Sequence, residues 1–187
     1  MPTERVKGTG TVYWLTGVSG VGKTTIGRLL YEHLSRQRPN VVFLDGDELR
    51  EVFGNDLGHH REDRQRSAMR NARLCKMLSD QGIDVVCSTI SLFHSCQSWN
   101  RNNISDYKEI FIQAPKDILV ARDPKGLYRA ALSGEQASMV GLDIKDESPL
   151  NPDVMIVNDG AKTPAEIVET LIASLFSSVA PSSCGQV

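Results

Sequence analysis

No stretch of the chain approaches the roughly 20 apolar residues that a bilayer crossing needs, so a membrane-spanning segment is excluded. The start, Met1-Pro2-Thr3-Glu4-Arg5, also lacks the charged-then-apolar layout of a secretory signal, and a cytoplasmic protein is expected. An excess of positive charge is missing as well: 21 Lys+Arg stand against 23 Asp+Glu, for a net charge of -2. Non-specific affinity for phosphate backbones rests on a broad basic excess, so nucleic acid is excluded as a general partner, as is a membrane. Cysteine is sparse. Cys75, Cys87, Cys96 and Cys184 form no CxxC pair and have no zinc-ligand spacing, which predicts free, reduced thiols. The histidines offer no metal site either, since His59 and His60 are adjacent while His33 and His94 stand alone. Internal repeats and coiled-coil heptads are absent.

What is present suffices for one ordinary core: 187 residues, 40% of them hydrophobic. A single domain over residues 1–178 is expected, followed by a flexible tail over 179–187. Short apolar runs at Thr11-Val12-Tyr13-Trp14-Leu15-Thr16, Val41-Val42-Phe43-Leu44, Ile83 to Ile90, Glu109-Ile110-Phe111-Ile112 and Val154-Met155-Ile156-Val157 predict buried strands. Between them, helical spacing marks Lys23 to about Arg36, a face of Ala68, Ala72, Cys75 and Leu78 stopping at Gly82, and Pro164 to about Phe176. Alternating strands and helices predict an α/β fold, a parallel sheet with helices on both faces. The stretch from about Arg122 to Glu147 fits this alternation poorly, being rich in Gly, Lys and Asp, and is expected to be a lid. Ligands in such sheets bind beyond the carboxyl ends of the strands.

Chemistry concentrates there. Directly after the first strand, Gly17-Val18-Ser19-Gly20-Val21-Gly22-Lys23-Thr24 matches G-x-x-x-x-G-K-[ST], with the strand before it and the helix after it. Glycines let such a loop wrap phosphates with its N–H groups turned inward, and the helix N-terminus adds positive potential. Lys23 then reaches the β- and γ-phosphates, and the Thr24 hydroxyl binds Mg²⁺. A plain glycine turn would not require the whole pattern in this context. At the end of the second strand, Asp45-Gly46-Asp47 sets two carboxylates beside the phosphate site, one able to hold Mg²⁺ and the other to orient or deprotonate an attacking hydroxyl. Taken alone, the triplet reads equally well as an acidic turn. No Asn-Lys-x-Asp sequence is present to read guanine, which disfavours a GTPase.

Over residues 10–158 the chain resembles the adenylylsulfate (APS) kinase family. The resemblance is carried, in order, by the phosphate loop, Asp45-Gly46-Asp47-Glu48-Leu49-Arg50, Asp56-Leu57-Gly58, Asp63-Arg64, Ile90-Ser91 with Arg101, Arg122-Asp123-Pro124-Lys125-Gly126-Leu127-Tyr128 and Asn151-Pro152. It implies a P-loop kinase that uses ATP and Mg²⁺ to phosphorylate a ribose 3′-hydroxyl, and a homodimer. It implies catalytic roles for Asp47, Lys23 and Lys125, and an ATP site of Gly17, Ser19, Gly20, Gly22, Lys23, Thr24, Thr25 and Arg122, with Thr24 and Asp45 at the metal. The implied acceptor site comprises Asp47, Arg50, His59, Arg64, Ser67, Ile90, Ser91, Lys125, Gly126, Leu127 and Met139. Arg50 and Arg64 would hold the anionic part of the acceptor, for which a planar guanidinium is suited; without the surrounding pattern, solvated helix charge would describe them as well.

The departures from the family pattern cluster on the acceptor. His59 stands where the family has Phe, Ser67 where it has Asn, Leu92-Phe93-His94 where it has Pro-aromatic-Arg, and Met139 where a second Phe is expected. Those two phenylalanines sandwich the adenine of APS in the family, and stacking on an aromatic contributes about 1–3 kcal/mol per base. Intact transfer residues beside altered acceptor residues are what a kinase with a changed acceptor should show. A divergent branch, the cytidine diphosphoramidate kinases of capsule biosynthesis, acts on a cytidine nucleotide. An acceptor of that kind is placed ahead of APS, with an APS kinase proper and a non-catalytic ATP-binding module as alternatives.

Overall fold

The computed structural model describes residues 8–123, 126 and 147–176. Its elements run β1 (Val12–Thr16), α1 (Lys23–Ser35), β2 (Val41–Asp45), α2 (Gly46–Val52), α3 (Arg61–Ser79), β3 (Asp84–Thr89), α4 (His94–Asn103), β4 (Tyr107–Gln113), α5 (Lys116–Arg122), β5 (Val154–Val157) and α6 (Pro164–Phe176). The strands form one parallel sheet in the order β2-β3-β1-β4-β5, with Val12 opposite both Val85 and Tyr107. β1 is the middle strand and is buried along its whole length, as an apolar run without polar alternation requires in a sheet covered on both faces.

Side chains alternate across the sheet and so divide the core in two. Tyr13 and Leu15 of β1 join Ile26 and Leu30 of α1, Ile110 and Ile112 of β4 and Leu171 of α6 on one face. Val12 and Trp14 join Ala72 and Cys75 of α3, Val85 and Cys87 of β3 and Phe93 on the other. The expected α/β fold with helices on both faces is thus what the chain forms. Cys75, Cys87 and Cys96 are free thiols packed as small apolar groups, and burial pushes the Cys96 thiol up to about 11. Cys184 and the tail lie outside the described residues, as does most of the expected lid. No helix among the described residues is long and apolar enough to cross a membrane.

Three helices escape the periodicity of the sequence. In α2 and α5, each 7 residues long, only Leu49 and Leu119 are buried, so there is no second apolar position to reveal a period. The buried face of α4 is Cys96, Gln97 and Asn100, largely polar and therefore invisible to a hydrophobic pattern.

Candidate active site

The carboxyl ends of β1, β2, β3 and β5 open into a single cleft of about 840 Å³. Its wall includes Ser19, Gly20, Gly22, Lys23, Thr24 and Thr25 of the phosphate loop and α1, and Asp45 and Asp47. Arg50, His59, Arg64, Ser67 and Ile90 continue it on one side, and Arg122 with the 158–164 turn on the other. Most of the residues singled out in the sequence therefore converge, although they come from separate elements.

Geometry around the phosphate loop follows from its glycines. Gly20 and Gly22 have φ of 82° and 96°, in the left-handed region that favours glycine. Gly22 is also the N-cap residue of α1 and offers no side chain to cover the first turn, which leaves that turn's N–H groups accessible to an anion. Lys23 Nζ donates to Val18 O at 2.8 Å, lying back across its own loop. Gly17 opens the loop but sits beneath the cleft wall, packed against Ile112 of β4.

Asp45 ends β2 and caps α2. One carboxylate oxygen, Oδ1, accepts from Asp47 N at 2.9 Å, and the other, Oδ2, accepts from the Thr24 hydroxyl at 2.7 Å. The N-cap bond satisfies an otherwise orphaned helix N–H, and it fixes where the next carboxylate, Asp47, leaves the backbone. Mg²⁺ takes oxygen ligands, binds through one or two protein groups and keeps its other waters. The Thr24 and Asp45 oxygens, held together at the foot of the phosphate loop, fit that requirement.

Across from Asp47 stand two arginines. Arg50 donates to the carbonyl of Leu57 and, at 2.7 Å, to that of Gly58; Arg64 Nε donates to His59 O at 2.8 Å. Both guanidinium groups thus brace the 57–59 loop. Burial, and then the adjacent Arg50, pull the Arg64 guanidinium below its ordinary pKa, with Asp47 opposing. A pair of cations close enough to perturb one another is relieved by an anion between them. Burial also lowers the pKa of His59, followed by Arg50, Arg64 and His60. The imidazole is accordingly neutral near pH 7.

One reading from the sequence needs correction. Ser91 does not line the cleft: it is fully buried, its N–H donating to Thr16 Oγ1 at 3.3 Å and its hydroxyl donating to Cys96 Sγ at 3.4 Å. Of the Ile90-Ser91 pair, only Ile90 lines the cleft. Arg101, part of the family pattern, is a structural tie. It pairs with Asp153 at 2.7 Å and Glu109 at 3.4 Å, donates to Asn151 O at 2.9 Å, and lies 5.0 Å from the centre of the Tyr107 ring. Lys125, Leu127 and Met139 lie outside the described residues. Gly126 is described and has φ of 66°.

The sequence reading missed the turn after β5. Asn158, Gly160, Ala161, Lys162, Thr163 and Pro164 line the cleft, and Asn158 holds Arg122 through its carbonyl and side-chain oxygens, both at 3.2 Å. The signal was available, because this turn also follows the carboxyl end of a strand. Ser88 and Thr89 at the end of β3 were missed in the same way.

Comparison with known proteins places these features. The profile of the adenylylsulphate kinase family matches residues 9–157. The chain is 42% identical over 167 residues to cytidine diphosphoramidate kinase of Campylobacter jejuni, covering 88% of this chain and 95% of that protein. It is 40% identical over 154 residues to adenylyl-sulfate kinase of Myxococcus xanthus, covering 80% and 83%. Among solved structures, the Mycobacterium tuberculosis APS kinase in complex with AMPPNP and APS superposes with a TM-score of 0.79 at 30% identity, over 89% of this chain and 98% of that one.

Proposed function

The chain belongs to the adenylylsulfate kinase family and is a kinase of nucleotide derivatives; on that premise we propose that it transfers the γ-phosphoryl group of ATP to the ribose 3′-hydroxyl of a nucleotide-activated small acid. A cytidine diphosphoramidate-like acceptor stands ahead of APS. The observation that carries the proposal is that one cleft is lined by the phosphate loop, Asp47 and the Arg50–Arg64 pair together.

The residues divide the work. Arg50 and Arg64 hold the acceptor's anionic part, and Asp47 orients its hydroxyl and accepts the proton as the new O–P bond forms. Lys23 and the loop N–H groups take up charge on the transferring phosphoryl while its bond to the ADP oxygen breaks. Thr24 and Asp45 would hold Mg²⁺, which supplies charge neutralisation on the phosphates. Lys125, Gly126, Leu127 and Met139 complete the proposed site from the segment after α5. His59 favours a changed base: a neutral imidazole beside two arginines offers a stacking face and a hydrogen bond without adding charge. APS itself remains the second reading, supported by the 40% identity to the M. xanthus enzyme. A homodimer in the cytoplasm completes the proposal by resemblance to the family, and light scattering on the purified chain tests the dimer.

The deciding experiment is coupled ADP release with ATP, Mg²⁺ and either cytidine diphosphoramidate or APS. Turnover of the cytidine compound alone supports the changed acceptor, and efficient turnover of APS alone moves the assignment to APS kinase. ATP binding with no transfer to either would leave a nucleotide-binding module and overturn the proposal.

A further inference from the structure

We propose that Asn158 is a positioning residue of the nucleotide site, setting the direction of the Gly22 amide and of the Arg122 guanidinium together; this rests on reading the cleft as an ATP site. Asn158 follows β5 directly and is 8% exposed. Its backbone N–H donates to Gln113 O at 2.8 Å, which fixes it to the end of β4. From there the side-chain amide reaches in two directions. Nδ2 donates to Val21 O at 2.8 Å, and Oδ1 accepts from Arg122 Nη2 at 3.2 Å. A carbonyl only accepts and a guanidinium only donates, so the amide has one workable orientation.

The Val21 contact governs the phosphate loop through the geometry of the peptide bond. The described backbone holds no cis peptide, and in a trans peptide the C=O and the next N–H point to opposite sides. Holding Val21 O on Asn158 therefore turns Gly22 N–H away from Asn158. Close approach makes this possible: a Cβ on Gly22 would lie 2.8 Å from Asn158 Nδ2. At the same time the Arg122 guanidinium, which also lines the cleft, is clamped by Asn158 O and Oδ1. One buried residue thus ties the phosphate loop and Arg122 together.

The test compares Asn158→Ala and Asn158→Asp with the wild-type chain, measuring calorimetric affinity for ATP·Mg²⁺ and for tripolyphosphate, and KM for both substrates. Asn158→Asp is nearly isosteric and keeps the acceptor for Arg122 while removing the donor to Val21, so it carries the comparison should the alanine variant fail to fold. Asn158→Ala is expected to weaken ATP about tenfold while the acceptor KM stays within about twofold. Asn158→Asp should weaken tripolyphosphate as much as ATP. Arg122→Ala should do less harm in the Asn158→Ala background than in the wild type. ATP affinity unchanged in both Asn158 variants, or ATP and acceptor KM rising in step, would overturn the proposal. A wild-type chain that does not bind ATP would overturn the reading of the cleft and this proposal with it, whereas normal wild-type binding with unaffected variants overturns this proposal alone.

Discussion

Gly27 lies one turn into α1, just beyond the residues that face the phosphate site, and α1 packs on the sheet there without room for a side chain. A methyl group at this position would fall inside contact distance of Ser88 Oγ and 2.9 Å from Phe43 Cε2, and Ser88 is itself 2% exposed and cannot swing into solvent. Replacing glycine by alanine in a helix interior ordinarily stabilises by about 1 kcal/mol. Overpacking a filled core costs about 1–3 kcal/mol, and two obstructed neighbours place this site at the upper end. Gly27→Ala is therefore expected to lose about 2 kcal/mol, which for a chain of this size lowers Tm by about 4–8 °C. Ser88 Oγ also donates to Lys23 O at 3.1 Å, so displacement of α1 should raise KM for ATP as well. Ser88→Ala alone loses that hydrogen bond and destabilises; placed on Gly27→Ala, it makes room and should raise Tm. Thermal and urea unfolding of the two single variants and the double variant decide the matter. A Tm for Gly27→Ala at or above the wild type, as helix propensity alone would give, would refute the packing argument.

Asp47→Asn should lower kcat by about 10²–10⁴ with Tm unchanged, as the loss of a proton acceptor predicts, and Lys23→Ala should abolish transfer; full turnover by either variant in the ADP-release assay would dismiss the assigned roles. Arg101→Ala should leave the acceptor KM unaltered but cost about 2 kcal/mol, reduced for the solvent that reaches Arg101, because the Glu109 carboxylate stays buried without its cation. Glu109→Gln in that background should recover part of the loss in urea unfolding. For His59, burial and the nearby arginines depress the folded pKa below the ordinary histidine value of about 6.5. The unfolded chain then binds the proton more readily, so the contribution to stability is present above pH 6.5 and lost as pH falls through the folded value. NMR should show an imidazole midpoint under 6.5, and the fall in urea midpoint between about pH 7.5 and about pH 5.5 should shrink in His59→Gln. A midpoint at or above 6.5 would contradict the described surroundings of the ring.

The strands themselves and the phosphate loop were legible because both depend on local sequence: an uninterrupted apolar run is a buried strand wherever it lies, and the glycine pattern before Lys23 has few other uses. The arginines proposed to hold the acceptor were legible only through resemblance. Arg50 and Arg64 stand 14 positions apart on different helices, and nothing in their spacing brings them together. Ser91 misled for a related reason, since a hydroxyl one residue past a cleft residue in sequence can face the opposite way, and here it faces Cys96. The place of Asn158 at a strand end was legible, but its role was hidden because its partners, Val21 and Arg122, lie 137 and 36 residues away. Long-range contacts of that kind have no signature in a single sequence.

The sheet order carries a consequence for substitution. β1 stands between β3 and β4, so the elements around the acceptor, β2, α2 and α3, lie to one side of the phosphate loop, while β4, α5 and β5 lie to the other. His59 and Ser67, proposed here as acceptor residues, fall on the first side, and Arg122 and Asn158 fall on the second. Substitutions confined to the first flank would leave the contacts of the second, Asn158 with Val21 and Arg122 among them, in place.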